Sequence, residues 1–270
     1  SMSRRITRKR REKREAKRQT KYKDYLKHKA DHLAFIKKVQ KDILKNNNPT
    51  LAECAEIIRT KNSRLWQRNI DHEDFLDIRV GIGDVPTKLT INEPEERFSI
   101  DEEDDLRLLL KKTITDAKTI NDAPITYNLT ENIINSVIGE KIILKNFIES
   151  MLLQILTLHS STDLKIVIFS KNKNFCDFAK IVPHCWSNDL TTRYYADTIE
   201  SFNAITSDIE KVFDARKANS DEEKKEDDGE LEADKPSYTE FKPYYLFIIE
   251  DFSLIRKANL INKILKYKKN

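Results

Sequence analysis

A chain of 270 residues, 39% of them hydrophobic, can bury one sizeable core or one core plus a helical appendage, which excludes wholesale disorder. Charged residues make up 35%, with only 4 glycines and 7 prolines, so helix-rich structure is expected and a glycine loop cradling phosphates is hard to accommodate. The net charge of +4 hides an asymmetry: residues 1–29 hold 14 Lys and Arg against three acids, +11, while the other 241 residues carry −7, a basic arm on a mildly acidic body.

Cys54, Cys176 and Cys185 are an odd set without paired spacing, so no disulfide framework is read and a reducing, cytosolic setting fits. No window approaches the roughly 20 apolar residues of a membrane span. The polar, basic start is not a signal peptide. Ser1 before Met2 reads as a tag-cleavage scar, so natural sequence is expected to start inside a longer protein.

In chain order, residues 3–45 lack Pro and Gly and are dense in Arg, Lys, Glu and Ala, which predicts one long helix. Its first half is bare and basic. Its second half carries Leu33, Phe35, Ile36, Val39 and Ile43 at three- and four-residue steps and should pack. Asn46, Asn47, Asn48 and Pro49 stop it, and Thr50 with Glu53 makes a capping box for a short helix through Arg59. From Phe75 the run FLDIRVGIG alternates like a half-buried strand, 87–100 reads as a loop or hairpin, and Asp104 to Ala117 as a helix.

Strands and helices then alternate: ITYNL, NSVIG, a helix from Lys141 to Leu158, LKIVIFS, a short helix near Phe175, TTRYYA, a helix from Thr198 to about Asn219, YYLFIIE, and a last helix from Ser253 to Tyr267. Near-continuous apolar strands between helices predict an α/β fold, a parallel or mixed sheet flanked by helices and preceded by the long basic helix. Residues 220–237 are acidic and nearly devoid of large apolar side chains, as in a mobile loop. The expected divisions are 1–60 for the basic stalk helices, 61–120 for a connector and 121–270 for the α/β domain.

The junction where a phosphate loop would sit, Val137-Ile138-Gly139-Glu140-Lys141-Ile142, has one glycine, no Gly-Lys-Ser/Thr and a carboxylate where donors are needed. Ordinary triphosphate binding is not expected there. Against this stand Glu250 and Asp251 at the end of YYLFIIE, where carboxylates can hold magnesium or orient water. Asp251 could equally cap the helix near Ser253.

His184-Cys185 could suggest a Cys-His nucleophile, but neighbouring side chains rarely face each other. The five histidines and three cysteines lack metal-ligand spacing, so no metal site is expected. His159 is expected to end its helix, where a cation or polar ring suits the dipole. The basic arm fits nucleic-acid phosphates or the anionic cytoplasmic face of a membrane, and a solvated helix face explains it without either.

The order of motifs supplies a further clue. Leu65-Trp66, Arg68, Asp71, Asp74-Phe75-Leu76 and Arg79-Val80-Gly81-Ile82-Gly83 follow one another in 62–86. Downstream come His159-Ser160 before Asp163-Leu164-Lys165, then Pro183-His184-x-Trp186 and Arg193-Tyr194. This set resembles the membrane-bound FtsK/SpoIIIE-type ATPases of type VII secretion known as EssC or EccC, and the likeness runs from Arg4 to the end.

The resemblance implies a stalk leaving two transmembrane helices, then a degenerate P-loop-NTPase-like domain that precedes three tandem ATPase domains, at the cytoplasmic face of a Gram-positive cell membrane. In that frame Gly139, Glu140, Lys141, Glu250 and Asp251 are remnants of a nucleotide site, with no catalytic role and no cofactor in this part; Mg-ATP belongs to the ATPase domains of the parent. Arg4, Arg5, Arg8, Arg10 and Arg11 would face lipid headgroups or partner acids. Implied partners are other secretion-system membrane components and neighbouring subunits of a hexamer, and nucleic acid is not expected. The alternatives are an atypical Mg-ATP-binding domain with Lys141 on phosphate and Glu250 or Asp251 on magnesium, and a DNA-translocase fragment. An excised fragment with an incomplete sheet edge is expected.

Overall fold

In the computed structural model, residues 2–92, 105–226, 242–256 and 259–267 are described. They group into two compact units, one of residues 1–49 with 79–126, the other of 50–78 with 127–270.

The first unit is built on α1 (Met2–Asn47), a single helix of 46 residues. Side chains from Arg4 to Tyr25 are exposed throughout, and packing begins at Leu26, which is buried. That change follows the sequence, because the first half offers no apolar stripe to bury. The packed half meets α3 (Asp105–Ala117), where Lys37 donates to the carbonyl of Asp116. Asn48 ends α1 by donating both its backbone N–H and its side-chain amide to Leu44 O, each at 3.0 Å. Strands β1 (Asp77–Pro86) and β2 (Thr119–Asn128) pair in a two-stranded sheet. The expected loop or hairpin over 87–100 lies outside the described residues from 93 onward.

The second unit opens with α2 (Leu51–Thr60), which carries the expected capping box: Glu53 N–H donates to Thr50 Oγ1 at 3.2 Å and Thr50 N–H to Glu53 Oε2 at 2.7 Å. Its core is a parallel three-stranded sheet in the order β4 (Tyr195–Ala196), β3 (Leu164–Phe169), β5 (Tyr244–Ile249). β3 is buried along its whole length and its side chains divide by parity. Leu164, Ile166 and Ile168 join Met151, Leu152 and Ile155 of α4 (Lys141–Leu158), whereas Val167 and Phe169 join Phe202, Ile205 and Ile209 of α5 (Ile199–Glu226) and Leu260 of α6 (Asn259–Tyr267). Helices thus cover both faces of a parallel sheet, the α/β arrangement that the strand and helix alternation predicts.

Several expectations are corrected. NSVIG is not a strand; residues 135–139 are irregular and join no described strand, although Val137 and Ile138 are β-branched and apolar. TTRYYA contributes only Tyr195 and Ala196 to the sheet, because the chain before them turns, with Arg193 bridged to Trp186. The short helix near Phe175 is a 3-10 turn at Asp177–Ile181. α5 runs to Glu226, so the expected acidic loop begins as helix, and its remainder from 227 to 237 lies outside the described residues. The last helix splits into a 3-10 turn at Phe252–Leu254 and α6.

Candidate functional site

The two ends of α4 carry nearly all the residues that the sequence singles out. At its N-terminus, Glu140 is the N-cap residue, with extended φ and ψ of −67° and 142°, and its side chain makes no capping bond. Lys141 and Ile142 begin the helix. No described glycine adopts positive φ, so Gly139 does not turn the chain in the left-handed manner that a phosphate nest uses.

Glu250 and Asp251 stand at the carboxyl end of β5, beside the end of β3. Glu250 Oε2 accepts from Ser170 Oγ at 2.6 Å, and Glu250 N–H donates to Phe169 O at 3.0 Å. Asp251 pairs with Lys171 Nζ at 2.8 Å and accepts the Ser253 N–H at 2.8 Å, as the cap of the turn that follows. Lys171 also donates to Ser253 Oγ at 2.6 Å. The Lys171 ammonium and the Ser253 donors hold the Asp251 carboxyl down to about 2. Among the described residues, no hydrogen bond or ion pair joins Gly139, Glu140 or Lys141 to Glu250 or Asp251. Gly139, Glu140 and Lys141 thus make no direct bond to the two carboxylates, and Asp251 is occupied by protein partners.

The C-terminal end of α4 shows what the linked motif does. A helix leaves its last four carbonyls without intrahelical partners. Here Ile155 O accepts both the backbone N–H and the Nδ1–H of His159, each at 3.0 Å. Leu156 O accepts the indole Nε1–H of Trp66 at 3.2 Å, Thr157 O the backbone N–H of Trp66 at 2.9 Å, and Leu158 O the backbone N–H of Arg68 at 2.9 Å. The segment Leu65–Arg68 is thus a C-cap supplied from about 90 residues upstream. Trp66 and Leu76 hold left-handed φ of 59° and 58°, which costs a non-glycine residue about 1–2 kcal/mol each; the capping bonds and the burial of Leu76 offset that cost.

Arg68 secures this arrangement from inside the core, where it is 2% exposed. Its Nε pairs with Asp74 Oδ2 at 2.8 Å and its Nη1 donates to Asp77 O at 2.6 Å. Burial works against the guanidinium charge, and Asp74 and Asp77 favour it, as does the negative end of the α4 dipole. Burial raises the Asp77 carboxyl in turn, against hydrogen bonding from Asn128 and the charge of Arg68.

His159 ends its helix as expected, as a polar ring on the last carbonyls, and it is fully buried. Its Nδ1–H donates to Ile155 O, so Nε2 must accept the Leu76 N–H at 3.1 Å, and only the neutral ring satisfies both. Burial accordingly pushes it down to about 3. His184 Nε2–H donates to His159 O at 2.9 Å, and burial lowers it too. Next to it, burial pushes the Cys185 thiol up to about 12, so this pair supplies no thiolate nucleophile. These roles were hidden in the sequence; the signal that could have found them was the co-occurrence of Trp66, Arg68 and His159 at the two ends of one long separation.

On α1, Arg4, Arg5, Arg8, Arg10 and Arg11 are all exposed. Arg8 forms an i,i+4 pair with Glu12 at 3.2 Å, with both side chains largely in water, a contact of marginal worth.

No protein-family model matches the chain. Over 236 residues, 87% of its length, it is 25% identical to the ESX secretion system proteins EccC of Geobacillus thermodenitrificans (strain NG80-2) and YukB of Bacillus subtilis (strain 168). Over the same span it is 26% identical to the type VII secretion system protein EssC of Staphylococcus aureus (strain MSSA476). The chain spans about 15% of the length of these relatives. Over most of its residues it is therefore similar to the secretion proteins that the ordered motifs point to. No helix among the described residues is long and apolar enough to cross a membrane.

Proposed function

We propose that the chain is a non-catalytic coupling module of a membrane-bound type VII secretion motor: a basic stalk helix and an α/β domain of degenerate ATPase shape, linking transmembrane helices to ATPase domains elsewhere in a longer protein. The observation that carries this reading is the division of labour in α4. The end where a nucleotide hydrolase binds phosphate has one glycine, Gly139, and an acidic N-cap, Glu140. The carboxylates that would face it are engaged, Glu250 by Ser170 and Asp251 by Lys171 and Ser253. Transition-state stabilisation needs several donors aimed at the developing charge, and of these positions only Lys141 brings a side-chain donor.

In this reading Arg4, Arg5, Arg8, Arg10 and Arg11 lie at the cytoplasmic face of the membrane, against anionic headgroups or acidic residues of neighbouring secretion components and motor subunits. Mg-ATP is bound by other domains of the longer protein, within a hexamer. Secretion by the longer protein tests the proposal. Lys141→Ala combined with Glu250→Ala and Asp251→Ala is expected to leave export of its substrates within about twofold of the unaltered protein, while deletion of residues 121–270 abolishes it. Loss of export from the triple variant with membrane assembly intact would contradict a non-catalytic role.

A further inference from the structure

Residues 65–78 are built largely of local turns, with His72 N–H donating to Asn69 O, Phe75 N–H to His72 O and Asp77 N–H to Asp74 O. They are fastened to the C-terminal end of α4 by the N–H groups of Trp66, Arg68 and Leu76, which donate to Thr157 O, Leu158 O and His159 Nε2 at 2.9, 2.9 and 3.1 Å. Trp66 and Leu76 hold left-handed φ of 59° and 58°, so the segment is fastened under strain. It is also the root of the two-stranded sheet. The chain leaves the second unit after Ile78, two residues into β1, and re-enters it at Tyr127, near the end of β2. There Asn128 Nδ2–H donates to Phe75 O at 3.1 Å and Leu129 N–H to Leu76 O at 3.2 Å.

One of these fastenings can be undone by a proton. Carbonyl oxygens do not titrate near neutrality, whereas an imidazole nitrogen does. With Nδ1–H committed to Ile155 O, the His159 Nε2 accepts the Leu76 N–H only while the ring is neutral. Protonation sets two donors against each other and places a positive ring beside Arg68 of the segment and His184 of the 3-10 turn Pro183–Cys185. Lys165 of β3 stands behind His184, and the ring of Phe75 meets His159 edge-on at 5.2 Å, with Tyr244 of β5 beyond it. The nearby acids, Asp74 and Asp77, act on Arg68, which pairs with Asp74 at 2.8 Å. Burial raises the Cys54 thiol of α2 and pushes Cys185 up to about 12, so neither supplies an anion.

We propose that residues 65–78 are an acid-releasable clip: a solvent proton taken up at His159 Nε2 ejects the Leu76 N–H, the strained segment lets go of the α4 carbonyls, and the root of β1 and β2 comes free while the parallel sheet stays folded. The sheet does not use this fastening, because β3 pairs with β4 and β5 through its own backbone. Apolar burial keeps the clip shut at neutral pH, since Ile70, Phe75, Leu76 and Ile78 share one core cluster with Met151, Leu152 and Ile155 of α4. The clip stands whether or not the chain couples a membrane to a motor.

Native-state amide hydrogen exchange of the 270-residue chain tests it, with rates corrected for the intrinsic pH dependence of exchange. At pH 7 the amides of Trp66, Arg68 and Leu76 are expected to be at least about tenfold less protected than the sheet amides of Ile168 and Ser170, which donate to Tyr194 O and Ala196 O. Between pH 7 and pH 5 the clip amides should lose about 25-fold in protection, because the ring titrates at its ordinary 6.5 in the open clip and near 3 in the closed one. His159→Gln, whose amide can donate to Ile155 O and accept from Leu76 at either pH, should flatten that loss to within about threefold. Equal protection of clip and sheet amides overturns the clip, since the segment would then open only with the whole domain. So does a loss below about threefold in the unaltered chain, or a 25-fold loss that survives His159→Gln. The comparisons within the unaltered chain decide the matter even where the variant does not fold.

Discussion

The two ends of α4 differ as sharply as any two regions of the molecule. At the C-terminal end every one of the last four carbonyls finds a donor, three of them from Trp66 and Arg68, far upstream, and Arg68 and His159 are buried there. At the N-terminal end the cap residue offers no side-chain bond and the side chains before and after it are in water. One end of the helix is finished by this chain, and the other is left for something else. In a nucleotide hydrolase the open end would meet phosphate; here Glu140 and Lys141 stand among the exposed aliphatics Val137, Ile138, Ile142 and Ile143.

The comparison is broken most strongly at Arg68. Arg68→Ala removes the ion pair with Asp74 and the bond to Asp77 O from the core, and is expected to cost about 3 kcal/mol in denaturant unfolding. The estimate sits at the low end for a buried pair because the Asp74 side chain is 36% exposed and can be rehydrated.

Acid attacks the same end through His159. Its folded value, about 3, lies below the ordinary histidine value of 6.5, so the unfolded chain binds the proton more readily. The stabilisation is complete above pH 6.5 and is lost as pH falls from there towards 3, with a slope approaching about 1.4 kcal/mol per pH unit for this one group. Burial lowers His184 as well and steepens the loss. Unfolding measured at pH 7 and pH 5 for the chain and for His159→Gln should show the smaller pH dependence in the variant; equal dependence would remove His159 from the account. Asp251 acts in a separate, more acidic window, below its ordinary value of 3.8.

A milder cut is Trp66→Phe, which keeps the ring and deletes the indole donor to Leu156 O. It should cost about 1 kcal/mol, the net worth of one hydrogen bond. At the open end, Ile138→Ser is expected to change stability by less than about 0.5 kcal/mol, because that side chain gains nothing from folding in this chain. A large destabilisation there would show that the segment is already packed and would erase the contrast between the ends.

How much of this was legible in the sequence depends on the range of the interactions. The bounds of α4, the capping box at Thr50 and Glu53, β3, β5 and the Asp251 cap all follow from local periodicity and nearest-neighbour chemistry, and each is present. NSVIG failed for the opposite reason. Its propensity for strand is real, but a strand exists only where a backbone pairs with it, and among the described residues none does. Arg68 and His159 could be picked out as members of a motif, yet their meaning lies in contacts across more than 80 residues that no local pattern encodes. The helix end assigned to His159 is present, but the choice between a cation and a neutral ring was left open, because it depends on the Leu76 N–H donated from 83 residues away.

The central claim, that the N-terminal end of α4 serves contact rather than nucleotide, is tested most directly by titration calorimetry of the 270-residue chain with Mg-ATP. No saturable heat is expected at micromolar to near-millimolar nucleotide. Saturable micromolar binding that disappears in Lys141→Ala and in Asp251→Ala would contradict the account, because both residues would then serve one nucleotide.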